Sequence, residues 1–446
     1  MSSIPPTPRQ IGFGSATATV IASMIGAGVF GATGGFAYKL GSGTDVLLVW
    51  FFCGGLALAG ALSLGELAGM MPQAGGCYVF NREIYGRTAG YLSGVLSMLL
   101  AFVGALAFIA LLLGHHVAVF APEIPPAATA AVAIATFSLI HCMGLAWGTR
   151  VNNTFTIFKL GVLVAFIIAG LCATPAAAPI VAPAAGWPGV FSSTFAAAMV
   201  SASFAYMGWE TTTFISSEVR RPERNVPLSL LAGTLIVTAT YLLINFVYLR
   251  ALAPQEMSRT VEGVQTGIYD VGLRAAQRLF TGDVSTWFNV MILVVLLSTI
   301  STVTMVGARV LLAMSQAGQL PAGLTQLNTR AVPARALLVQ GAVTLLFIAV
   351  ARDFRNADTL LQYIGMPLTV VMGAAVLGVI ILRRRDPSRV RPFRVPLYPL
   401  PPLLFGALSL WMVISSVREN RAAALASAVT IVLLLLLKPL LCRKAD

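Results

Sequence analysis

Apolar runs long enough to cross a bilayer recur along nearly the whole chain, and no other feature limits its folds so tightly. Twelve can be marked, at 13–38, 45–71, 88–114, 126–145, 153–173, 191–216, 226–250, 284–316, 334–351, 357–383, 397–417 and 421–442. Each is close to the roughly 20 residues that a helix needs to span the hydrocarbon. Lipid offers no partners for backbone N–H and C=O groups, so long uniformly apolar runs must form helices that satisfy their own backbone. Composition agrees, with 57% of the 446 residues hydrophobic and 10% charged, against roughly a quarter charged in a soluble domain. The chain reads as an all-α polytopic membrane protein with about 12 transmembrane helices.

The net charge of +13 does not point to nucleic acid, because the cations lie in short segments between apolar runs. With the N-terminus inside, the inner segments hold Arg9, Arg82, Arg87, Arg150, Arg220, Arg221, Arg224, Arg309, Arg330, Arg335, Arg383, Arg384, Arg385, Arg389, Arg391, Arg394, Lys438, Arg443 and Lys444, which is 19 of the 29 Lys and Arg residues. The outer segments hold nine, and Lys159 is left inside the fifth span. This bias predicts a multi-pass protein of the plasma (inner) membrane with both termini cytoplasmic. Residues 1–10 are polar with one cation, so no secretory signal is expected. Residues 265–280, in the longest outer segment, have the pattern of a surface helix. Cys53, Cys77, Cys142, Cys172 and Cys442 show no metal-ligand spacing, and most lie in or beside apolar runs, where cysteine is a small hydrophobe. His115 and His116 read as outer interfacial residues, and with His141 they form no metal or triad pattern. No metal or cofactor is expected.

Two of the spans are interrupted. Val20 to Phe36 reads VIASMIGAGVFGATGGF, with Gly26-Ala27-Gly28 at mid-span. Glycine costs about 1 kcal/mol against alanine in a helix. The cluster marks either a helix that opens or a tight packing surface of small residues. Opened backbone at membrane depth is tolerated where it lines a cavity, and many secondary transporters hold small charged substrates that way. The sixth span carries the second interruption, Ser203-Phe-Ala-Tyr-Met-Gly-Trp-Glu210, which runs into Glu218-Val-Arg-Arg-Pro-Glu-Arg-Asn-Val-Pro227. Interruptions five spans apart fit two five-helix repeats of inverted topology. The expected organisation is a tail at 1–12, a transport core at 13–383 built from repeats 13–173 and 191–383, a basic loop at 384–396, two further helices within 397–442, and a tail at 443–446.

Four ordered motifs give these breaks a family context: Ile25-Gly-Ala-Gly-Val-Phe30; Gly65-Glu-Leu-Ala68 with Pro72-Gln-Ala-Gly-Gly76; FAYMGWE at 204–210 followed by EVRRPERNVP at 218–227; and Arg309-Val-Leu-Leu-Ala-Met314 with Gly318-Gln-Leu-Pro321. In this order the chain resembles transporters of the amino acid–polyamine–organocation superfamily, nearest in flavour to the L-type and cationic amino-acid branches. The resemblance covers the first ten spans. It implies the five-plus-five inverted-repeat (LeuT-type) fold with broken first and sixth helices, and alternating access in which spans 1, 2, 6 and 7 move as a bundle.

It also implies a site. The substrate carboxylate would meet backbone N–H groups near Ala27 and Gly28, at the positive end of a half-helix. The ammonium would meet carbonyls of Met24, Phe204 and Met207, with Ser23, Gly26, Ala205 and Gly208 completing the exposed backbone. Many relatives carry Ser or Thr where this chain has Ala27, a departure that weakens the case for an ordinary α-amino acid. Phe204 matches the aromatic lid over the substrate; Trp209 reads as packing or a secondary gate contact, and Tyr363-Ile-Gly365 in the tenth span is a candidate outer gate. Lys159 matches a lysine that replaces the sodium ion of sodium-coupled members, bridging the first span near Ala22 or Ser23 to the eighth near Ser298 or Ser301. Sodium independence follows, with proton coupling and exchange both open. Glu210 favours a cationic substrate, senses protons or braces its helix. Glu66 with Arg82 or Arg87, and Glu218 with its neighbouring arginines, are expected to form inner charge networks.

The implied partners are a small-molecule substrate, an amino acid, and the lipid bilayer; no protein partner follows from the sequence. A polyamine or other amine transporter of the same fold is the alternative. A membrane-embedded enzyme needs clustered nucleophiles, metal ligands or paired acids, and none is visible. A sensor would add a soluble output domain, and a channel would show unsaturable leak.

Overall fold

The computed structural model describes residues 9–26, 28–173, 189–190, 192–257, 260–261, 264–265, 270–351 and 357–441. Ala27, Cys442, Arg443 and Lys444, named above, lie outside these residues. The described chain is helical apart from a ribbon of two residues per strand, Thr260–Val261 paired antiparallel with Val264–Gln265. Helices α1 (Phe13–Met24) and α2 (Gly28–Leu40) share the first apolar run. Then come α3 (Gly43–Met70), a short α4 (Cys77–Tyr85), and α5 (Arg87–Leu96), which passes through a π-helical stretch Ser97–Gly104 into α6 (Ala105–Ala118). They are followed by α7 (Pro126–Cys142), α8 (Leu145–Cys172) and α9 (Ser193–Ala205), the last leading through a turn into a 3₁₀ helix, Thr211–Glu218. The second half holds α10 (Pro222–Ala251), α11 (Asp270–Leu279), α12 (Val284–Gln316), α13 (Ala334–Ala351), α14 (Ala357–Arg385), α15 (Leu400–Glu419) and α16 (Arg421–Leu441).

Seven of these helices, and the continuous run Arg87–Ala118 through α5, the π-helical stretch and α6, are long and apolar enough to span a membrane, and α1 with α2, bent by 44° at their break, gives a ninth candidate. Three shorter apolar helices coincide with the fourth, sixth and ninth runs. Helix α12 is the hub, with 78% of its most apolar window buried against 17% for α16, so α12 packs on protein and α16 presents leucines outward. Around the hub stand α6, α7, α8 and α13; α3 lies along α10, and α1 wedges between α10 and α8.

Several boundaries differ from the sequence reading. Helix α8 begins at Leu145, eight residues before the expected 153, so Arg150 and Asn152 lie within it. Asn152 is fully buried, accepting a 2.5 Å hydrogen bond from Thr302 of α12. The expected surface helix at 265–280 is the shorter α11, and it buries Val271, Ala275 and Ala276. Helix α4 and the π-helical stretch leave no mark in hydrophobic periodicity.

The charge networks also pair differently. Glu66, fully buried near the end of α3, accepts from Arg383 at 2.8 and 2.5 Å and from the Val395 N–H at 2.7 Å, with Arg391 at 3.4 Å. Arg82 turns instead to the Tyr78 hydroxyl, and the Arg87 carbonyl accepts from Gln319. Glu218 takes two bonds from Arg309 of α12, at 3.0 and 3.2 Å, rather than from its neighbours Arg220, Arg221 and Arg224. A buried carboxylate needs several donors to offset its lost hydration, and a guanidinium fork from a facing helix supplies two at once. Both Glu218 and Arg309 are 2% exposed.

Candidate functional site

The first break leaves the carbonyls at the end of α1 without intrahelical partners, as at any helix C-terminus. The Ile25 N–H still bonds to Ile21 O and the Gly26 N–H to Met24 O, but α2 starts afresh at Gly28. Lys159 fills the deficit. Its Nζ donates to Ala22 O at 3.0 Å, Ile25 O at 2.6 Å and Thr299 Oγ1 at 3.0 Å, and the side chain is fully buried. An ammonium has three donors, and all three are used. The negative end of the α1 dipole adds attraction for the cation. Lys159 sits fourteen residues into α8, about 21 Å along its axis from Leu145, far from the helix end to which a snorkelling lysine would reach.

The bridge runs from α8 to α1 and α12, with Ala22 as expected but with Thr299 in place of Ser298 and Ser301. Successive helical residues are about 100° apart, so Thr299 faces Lys159 while its neighbours turn aside. Ser301 lies 3.1 Å from His141 Nε2, and Ser298 O accepts from Thr302.

The second break is held more lightly. Helix α9 stops at Ala205, and short turns follow, Tyr206 N–H to Ser203 O and Met207 N–H to Phe204 O. Gly208 has φ +102°, and a Cβ there would lie 2.5 Å from Ser23 Oγ, so both backbone geometry and space demand glycine. The Thr211 hydroxyl reaches Ser23 Oγ at 2.8 Å and Gly208 O at 2.6 Å, stitching the two breaks together. The start of α2 presses on the end of α9, where a Cβ on Gly28 would come within 3.0 Å of Ala205 Cβ.

Tyr241 of α10 is the residue that sequence reasoning missed. Its hydroxyl lies 2.7 Å from Met24 O and 2.8 Å from Ala205 O, one carbonyl from each break. With one hydrogen it donates to one of them at a time. The fully buried ring packs edge-on to Trp50 and Tyr206. Nothing in an unbroken span distinguishes such a tyrosine.

A cavity of about 330 Å³ opens at the junction. Ser23, Met24, Gly26, Gly28, Phe204, Ala205, Met207, Gly208 and Glu210 all line it; Ala27 lies outside the described residues. Ala101, Phe102, Ala105, Val303 and Ile364 form an apolar wall, and the cavity runs on toward Lys39 of α2 and Thr194 of α9. Met24 O already accepts the Gly26 N–H and faces Tyr241, and Phe204 O accepts the Met207 N–H, so neither carbonyl is bare. Glu210 is 5% exposed, and its Oε2 has no hydrogen-bond partner among the described residues.

Two expected gate residues point elsewhere. Trp209 is wedged between α3 and α15, 5.6 Å edge-on from Phe405, with no room at Gly60 beside it for a side chain. Tyr363 turns toward α16, its hydroxyl 2.8 Å from Thr430 Oγ1. Ile364 lines the cavity in its place, and Gly365 lies against the Phe204 ring. Beyond the breaks the way is shut. The 3₁₀ helix is almost wholly buried, Phe214 stacks edge-on to Phe102 at 5.1 Å, and Glu218 is locked to Arg309. Residue 11 adds a parallel bridge to Val219, with the Ile11 N–H on Glu218 O and the Arg220 N–H on Ile11 O. His116 Nδ1 meets Asn289 Oδ1 at 2.7 Å, and no group of three metal-ligating side chains occurs among the described residues.

Comparison with known proteins agrees with this architecture. The family model described as amino acid permease matches residues 11–437. The large neutral amino acids transporter small subunit 2 of Mus musculus is 29% identical over 429 residues, covering 90% of this chain and 76% of that protein. The Asc-type amino acid transporter 1 of Mus musculus is 28% identical over 425 residues, covering 90% and 76%, and the cystine/glutamate transporter of Homo sapiens is 26% identical over 414 residues, covering 90% and 79%. The chain belongs to the amino acid permease family, whose members are transporters rather than enzymes, within the superfamily to which its four motifs point.

Proposed function

We propose that this permease is a sodium-independent secondary transporter of amino acids that works by alternating access. One observation carries the reading: the cavity lies where two helix breaks meet, and the ammonium of Lys159 takes two carbonyls of the first break and a hydroxyl of α12, oxygen atoms of the kind a bound cation would need. The amino acid's carboxylate lies against the start of α2 at Gly28, and its ammonium lies among the carbonyls of the second break. Transfer of both charges from water is offset by these backbone dipoles. The side chain points to the apolar wall of Ala101, Phe102, Ala105, Val303 and Ile364. Relatives named for large neutral amino acids support a neutral substrate.

The twelve apolar units form the membrane domain, with both termini cytoplasmic and two five-helix repeats related by inversion. The cavity then opens to the outside along α2 and α9. The cytoplasmic exit is closed by Arg309–Glu218 and the bridge at residue 11. Inward opening releases those contacts as α1–α3, α9 and α10 rock against α8 and α12. Exchange and proton symport both fit this scheme. A second reading, an amine or polyamine as substrate, is favoured by the unpartnered buried oxygen of Glu210 on the cavity wall.

The test is uptake of labelled neutral and cationic amino acids by proteoliposomes in sodium-free buffer, with and without internal substrate. Uptake of neutral amino acids that requires internal substrate identifies an exchanger, and uptake driven by a pH gradient into empty vesicles identifies proton symport. Absence of any amino-acid uptake, with amine uptake present, replaces the first reading by the second.

A further inference from the structure

Gly365 lies inside the long helix α14, where glycine costs about 1 kcal/mol relative to alanine. The structure gives that choice a reason. A Cβ built on Gly365 would stand 1.9 Å from Phe204 Cε1 and 2.3 Å from Cζ. Carbon atoms in contact sit at about 3.5–4.0 Å, so the ring edge occupies the space a methyl group would need. Around this notch, Ile364 lines the cavity, and a Cβ on Gly104 of the π-helical stretch would meet the Ile364 side chain at 3.4 Å. Phe204 thus reaches across from α9 to α14 and closes one flank of the cavity that its own ring lines.

We propose that Gly365 is the seat of the Phe204 ring and sets the largest side chain the cavity accepts, which makes it a specificity-determining residue. The proposal rests on the cavity being the amino-acid site. With a methyl group in the notch, the ring can yield only away from α14, into the cavity, by a distance on the order of 1.5–2 Å. Small substrates tolerate that loss of room; large ones do not. A hydrophobic pocket discriminates about 10- to 200-fold for each methylene gained or lost.

The experiment measures KM for labelled L-alanine, L-leucine and L-phenylalanine in proteoliposomes containing wild-type protein, Gly365→Ala, Phe204→Leu, or both substitutions. Gly365→Ala is expected to raise KM for leucine and phenylalanine about tenfold or more while alanine moves by less than about twofold. In the double variant the ring edge is gone, so the leucine-to-alanine KM ratio should return to that of Phe204→Leu alone. A rise that is equal for all three substrates, or one that the double variant retains, overturns the notch and leaves a packing defect in α14. If Gly365→Ala does not reach the membrane, rescue of folding by Phe204→Leu supports the notch, and failure of rescue overturns it. If the wild-type protein takes up none of the three amino acids, the reading of the cavity fails and the notch fails with it; transport by the wild-type protein with a flat Gly365→Ala profile removes the notch alone.

Discussion

The two helix breaks lie against each other, yet they are held in opposite ways. At the first, a buried cation from a third helix donates to two carbonyls and a hydroxyl, and every donor it owns is engaged. At the second, short turns of neutral backbone hold the chain, a glycine at positive φ makes the bend, and a nearby carboxylate oxygen is left without a partner. A saturated charge in a low-dielectric site is rigid, because any displacement costs several strong hydrogen bonds together. A neutral turn shifts at the cost of one weak bond at a time. Under the proposed function, the first break would serve as a fixed joint between bundle and scaffold, and the second as the part that adapts to what is bound.

If that division is right, the largest loss comes from Lys159. Lys159→Ala leaves Ala22 O buried without its donor, at about 1–3 kcal/mol, and leaves Ile25 O with the Thr299 hydroxyl alone. Transport should fall by about a hundredfold or more, because the penalty falls on both the fold and the geometry of the site. Purified Lys159→Ala should still elute as a monodisperse species, with a lowered melting temperature. Transport at the wild-type rate would break the comparison at its stronger side.

Phe204→Ala comes next. Truncating the ring removes the flank of the cavity beside Gly365 and opens it to water, so substrate KM should rise by about tenfold. Stability should fall less than for a core phenylalanine, since Phe204 is only partly buried. Saturation kinetics and thermal melting on the same sample separate the two quantities. A melting point that drops as far as expected for a full core truncation, with KM unmoved, would return Phe204 to the packing and take the lid away from the second break.

Tyr241→Phe probes the seam between the breaks. Its hydroxyl serves Met24 O and Ala205 O in turn, so removal deprives one carbonyl of a hydrogen bond worth about 1 kcal/mol. Turnover should fall roughly three- to tenfold, with the fold intact. A loss as large as that of Lys159→Ala would show that both breaks are fixed joints.

Much of this contrast is legible in the sequence, and the limits have physical causes. Gly26-Ala27-Gly28 and the Phe204–Glu210 stretch stand out because glycines and polar groups at membrane depth oppose a continuous helix. Lys159 stands out because a lone charge there needs partners, and Ala22 follows from the carbonyls a break exposes. Thr299 lies one and two positions from the expected Ser298 and Ser301, an error of phase that no sequence periodicity resolves in a helix polar on several sides. Glu66 and Glu218 found arginines 317 and 91 residues away, because helix packing rather than chain proximity decides which guanidinium faces a buried acid. Trp209 and Tyr363 sit in motifs whose backbone lines the site, while their own side chains turn outward to α15 and α16. Tyr241 carried no signal, since its role depends on two carbonyls brought together from different helices.

The smallest expected effect belongs to Glu210, and it is the sharpest test of the lighter joint. Its Oε2 has no hydrogen-bond partner among the described residues, and the side chain is 5% exposed. A buried carboxylate with one oxygen unpartnered is costly when ionised, so the group contributes little net to holding the turn. Glu210→Gln keeps the shape and replaces the acid with a neutral amide. Uptake of a neutral amino acid should change by less than about threefold, and the melting temperature should hold or rise, because the amide oxygen still accepts a hydrogen bond while the buried acid is gone. Uptake of a cationic amine, if the protein carries one, should instead fall about tenfold or more, since an ion pair in a water-poor cavity is worth several times one at a surface. A collapse of neutral uptake comparable to that of Lys159→Ala would mean that the second break also depends on a single charge, and the asymmetry between the breaks would be gone.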